Sequence, residues 1–92
     1  MPRFYFHIHD GIGFAEDLEG RETAGLAAAK EHALKGARSL MSADVEDGEL
    51  DLRGRIEVND EAGACVLVLH FRDALLIKDG DLPAEKQTGE PS

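Results

Sequence analysis

Residues 4–11 read FYFHIHDG, and the fold turns on how this stretch is read. Phe4, Phe6 and Ile8 alternate with Tyr5, His7 and His9. Period-two alternation of aromatic and β-branched residues describes a strand covered on one face only. Asp10-Gly11-Ile12-Gly13 follows it, and Asp-Gly is a strong chain-reversal signal. A return strand over residues 14–17 would close a first hairpin.

The pattern then changes period. Thr23 offers an N-cap, and residues 24–45 are mostly strong helix formers. Leu26, Ala29, Ala33, Ala37 and Leu40 form one stripe at spacings of three and four. The small residues at 29, 33 and 37 let a helix sit close to the sheet face of Phe4, Phe6 and Ile8. Glu31 and Lys35 make an i,i+4 pair, and Gly48 suits the helix stop.

After an acidic loop, residues 55–58 (RIEV) alternate again, and ACVLVLHF at 64–71 is the strongest strand in the chain. Asn59 to Gly63 forms the turn between them, giving a second hairpin. RDALLIK at 72–78 fits either an added strand or a helical turn, and residues 79–92 have the composition of a disordered tail. The predicted domain is therefore residues 1–78, of the α+β class, with element order β-β-α-β-β. It is a two-layer structure: a four-stranded, mainly antiparallel sheet with one helix packed on one face. A strand order of 2-1-3-4 makes every pairing antiparallel.

Composition bounds the function. The 92 residues make one domain with a net charge of −9. Such a surface disfavours nucleic acid and anionic membranes, which recruit basic residues. One cysteine, Cys65, excludes an intrachain disulfide and is expected to be a small buried hydrophobe in its apolar run. MPRFYFHIHD lacks the apolar core of a secretory leader, and no stretch approaches the roughly 18 apolar residues of a membrane span. A cytoplasmic protein is expected.

The full pattern resembles a known family. MPRFYFHIHDG at the start, DLEG at 17–20, L-x-x-A-x-x-x-A-x-x-x-A-R-x-L at 26–40, RIEVNDEAG at 55–63 and FRDAL at 71–75 resemble a family of short alphaproteobacterial proteins known only as a domain of unknown function. The resemblance implies a compact, soluble bacterial protein and brings no catalytic residue with it.

The chemistry-bearing candidates are few. His7 and His9 share a strand face, and His70 has the parity of the outer face in the last strand. If the hairpins adjoin, the three imidazoles make a candidate zinc site, to which Asp10 could add an oxygen. The simpler reading makes them solvent-facing strand residues, with no cofactor. No nucleophile elbow accompanies Ser39 or Ser42. Gly11-Ile12-Gly13 neither continues to a third glycine nor opens a helix. DVEDGELD at 44–51 misplaces its glycine and its Glu for a calcium loop. No catalytic motif is recognisable.

The outer sheet face would carry Tyr5, His7, His9, Val66, Val68 and His70, an apolar set for a face left to water. The expected function is a non-enzymatic interaction module that self-associates, as a homodimer, or docks a protein partner. The alternative is a metal- or ligand-binding protein using His7 and His9, with His70.

Overall fold

A computed structural model describes residues 1–82. Its elements are β1 (Arg3–His9), β2 (Phe14–Ala15), β3 (Arg21–Glu22), α1 (Leu26–Glu46), β4 (Arg55–Asn59), β5 (Cys65–His70) and a single 3₁₀ turn, Phe71–Asp73. The sheet runs β2-β1-β4-β5, with β3 also on β1, and every pairing is antiparallel. This is the expected α+β architecture with one helix. It has five strands rather than four, because the return strand stops at Ala15 and a second short strand, Arg21–Glu22, pairs with the start of β1.

The helix covers one face. Ala29, Ala33, Ala37 and Met41 are buried against Phe4, Ile56, Val58, Leu69 and Phe71, with Phe6, Ile8, Leu34, Leu40, Leu52 and Leu67 packed around them. Cross-strand rows Phe6–Val58–Leu67 and Ile8–Ile56–Leu69 form the floor. The expected stripe shifts by one residue at each end. Leu26 is about half exposed, and Met41 is buried beyond Leu40.

Turns are built largely from aspartate carboxylates that accept backbone N–H groups, the usual Asx geometry. Asp10 Oδ1 accepts from Ile12 and Gly13 at 2.9 and 3.1 Å. Asp60 Oδ1 accepts from Ala62 and Ala64, both at 2.9 Å. The helix stop follows the glycine rule: Gly48 has φ 85° and donates to Val45 O at 2.9 Å.

Three local expectations are corrected. Thr23 is not the N-cap. Gly25 holds that position, and the buried Thr23 donates its hydroxyl to Gly25 O at 2.9 Å, fixing the turn into the helix. Of the two readings of residues 72–78, the strand is absent and the helical turn is present only at the start, as part of the 3₁₀ turn. The 3₁₀ turn ends at Asp73 and is tied to α1 by Arg38 Nε, which donates to Ala74 O at 2.9 Å. Cys65 is exposed rather than buried. A bulge explains this: Val58 pairs with Leu67 but Asn59 with Cys65, leaving Val66 unpaired. The extra residue reverses the alternation, so Cys65 sits opposite Asn59 on the outer side. The expected tail, residues 79–92, lies mostly outside the described residues.

Phe71 closes the core at the start of β4. Its N–H donates to Gly54 O at 2.9 Å, and a Cβ at Gly54 would lie 2.5 Å from the Phe71 ring. Only glycine allows that approach.

The alanine stripe sets the helix–sheet distance. Ala33 is 1 % exposed, so Ala33→Leu should push α1 off β4 and cost about 1–3 kcal/mol. Urea denaturation will measure this. A variant of unchanged stability would show that the helix is not seated on this stripe.

Candidate interaction face

The register lays out the uncovered face in three rows. Across β2, β1, β4 and β5 the first is Phe14, His9, Arg55 and His70. The second is His7, Glu57 and Val68, and the third is Tyr5, Asn59 and Cys65. All six residues expected here are on this side or at its bulge. Tyr5, His7, His9 and His70 are half-buried, while Val66 and Val68 are 36 % and 43 % exposed.

Sequence parity missed three features of the face. Phe14, 57 % exposed, joins it beside His9, with ring centroids 4.5 Å apart. Cys65 joins it through the bulge. Arg55, Glu57 and Asn59 run down its middle, on the strand that the expected order 2-1-3-4 already sets between the other two. The face is therefore a polar central strand flanked by aromatic rings on one side and valines on the other.

The histidines are engaged locally. Asp17 N–H donates to His7 Nδ1 at 3.0 Å, so in this arrangement Nδ1 carries no proton. His9 Nε2 lies 3.3 Å from Glu57 Oε1, a diagonal cross-strand contact. His70 lies across Arg55 from His9, two strand spacings away, or roughly 10 Å. Among the described residues, no three His, Cys, Asp or Glu side chains are grouped so as to hold a metal ion. His32, on the covered side, packs edge-on to Phe6 at 4.7 Å. Burial, with Arg21 and Lys35 nearby, lowers its pKa.

Asp17 organises the β1 edge. It sits in the gap between β2 and β3, where it accepts from Phe6 N–H at 3.1 Å, Gly20 N–H at 3.0 Å and Glu19 N–H at 3.2 Å. Gly20 must be glycine: its φ is 71°, and a Cβ would meet Phe4 O and Tyr5 at 2.9 Å. The carboxylate thus replaces strand pairing at Phe6 and positions His7. Burial opposes its ionisation, but the three backbone N–H donors outweigh that and hold its pKa below the usual value.

A cleft of about 380 Å³ lies off this face near the end of α1, lined by residues that include Asp10, Leu40, Asp44, Asp51 and Arg53. Hydrogen bonds from Arg53 hold the Asp51 carboxyl down to about 2. Its charge is already matched there. No helix among the described residues is long and apolar enough to cross a membrane.

A single helix on an antiparallel sheet, with the other face bare, defines a two-layer α+β domain. Residues 3–72 match the family model described as "Domain of unknown function (DUF6894)", and the chain belongs to that family. No curated protein and no solved structure matches it.

Asp17→Asn should cost about 1.5–3 kcal/mol at neutral pH, because its amide NH2 would face the Phe6 N–H that Oδ2 now accepts from, and the remaining bonds lose their charge. The sign of the pH effect follows from the lowered pKa. Asp17 stabilises the fold above its unfolded pKa of roughly 3.9, and this contribution is lost as pH falls through the lower folded value. Acid titrations followed by circular dichroism should show a shallower pH dependence for the variant. Identical acid profiles would contradict the role given to Asp17.

Proposed function

We propose that this chain is a small docking module of the bacterial cytoplasm, whose working surface is the uncovered sheet face and the adjoining edge of β5. One observation carries the reading. The only helix among the described residues covers one side of the sheet, and the opposite side presents Phe14, Val66 and Val68 to solvent. Exposed aromatic and aliphatic side chains on an uncovered sheet face mark a surface suited to a protein partner.

Two further observations support binding rather than chemistry. His7 and His9 are each held by a local contact, to Asp17 and to Glu57. The aspartates at 10, 17 and 60 serve backbone donors in turns. The solvent-exposed single thiol of Cys65 suits a reducing compartment.

The test is residue-resolved NMR of isotope-labelled protein in an extract of the source organism, against dilute buffer. Selective broadening of Tyr5, His7, His9, Val66, Val68 and His70, relieved by Val68→Asp, is the expected outcome. Broadening confined to the solvent face of α1, or none beyond the effect of viscosity, would overturn the reading.

A further inference from the structure

The two edges of the sheet are built differently. On one side, β1 is flanked by β2 and β3, each of two residues, with the Asp17 loop between them. Such a short, interrupted edge cannot template another strand. On the other side, β5 offers six consecutive residues, CVLVLH, with no proline and no Lys, Arg, Asp or Glu.

The free groups of that edge can be assigned. Phe71 N–H bonds to Gly54 O across the start of β4. Antiparallel alternation then turns the amides of Leu69 and Leu67 toward β4 and those of Val68 and His70 toward the open side. Among the described residues, neither Val68 nor His70 donates a backbone hydrogen bond outside the ladder.

We infer that the β5 edge binds a second copy of this chain, pairing β5 antiparallel to β5 about a two-fold axis at Val68 and making one continuous sheet. This rests on the docking reading above and names its occupant. Charge selects the occupant. A protein of net charge −9 attracts basic partners, yet this edge has no carboxylate for a basic strand to read. Its complement is another uncharged strand, and β5 is its own match. With Val68 on the axis, Val68 of each copy gives and receives a backbone hydrogen bond, and the two valine side chains meet on the outer face. An isologous contact of this kind closes at two copies. The mutual repulsion of two acidic copies is screened by salt, so association tightens as ionic strength rises.

The experiment is sedimentation equilibrium of the full chain from low to high micromolar concentration, with amide hydrogen exchange at both ends of the range. A dimer in which the Val68 and His70 amides gain protection with concentration is expected. Val68→Pro removes the outward N–H while leaving those of Leu67 and Leu69. It deletes two intermolecular hydrogen bonds and should weaken the dimer about 10- to 100-fold. Val68→Lys keeps the N–H but sets like charges face to face, and serves if the proline variant does not fold. A monomer at all concentrations with fast-exchanging Val68 and His70 amides overturns the inference. So does a dimer that both folded variants form with unchanged affinity. A monomer that still broadens selectively in extract keeps the docking reading and removes only the second copy as its occupant.

Discussion

The close seat of α1 on β4 is the contact on which the rest of the molecule depends. Three alanines one turn apart, at 29, 33 and 37, bring the helix down onto Ile56 and Val58, and all five side chains are essentially out of water. Without this contact the sheet would have no covered face and the first hairpin no core. The seat also explains the asymmetry of the domain. A chain of this size supports one modest core. One helix is enough to make that core on one side, and the other side is left bare.

The bare side is ordered by carboxylates as much as by apolar packing. Asp17 bridges a break in the edge of β1, fixes the turn at Gly20 and orients its own N–H onto His7. Asp10 and Asp60 close the two hairpins in the same manner. Part of the negative charge that sets the composition apart thus faces backbone donors. The acidic character is partly a device for making tight turns in a chain rich in short connections. It also leaves β5 as an uncharged strip in an acidic molecule.

Much of the architecture was legible in the sequence, for physical reasons that differ by element. Period two from Phe4 to His9 and the small-residue stripe of α1 fixed which faces meet, and antiparallel hairpins limited the strand order. What parity could not show was the bulge at Val66, because one inserted residue leaves the apolar run intact while turning Cys65 outward. Nor could it show that Asp17 would split the return strand, since a carboxylate accepting three backbone donors is assembled from residues 6, 19 and 20 only after folding. The outer-face residues were found individually. The polar residues of β4 were left out of that set, although the expected strand order sets them between the valines and the rings.

The most direct test of this account is solvent accessibility at methyl resolution, measured with a soluble paramagnetic agent on dilute protein. Strong relaxation of the Val66 and Val68 methyls, with little at Ile56, Val58 and Leu69, is the expected result. Equal shielding of Val68 and Val58 at high dilution would mean that the second face is covered within one chain, and would contradict the one-covered, one-open sheet from which the function is argued.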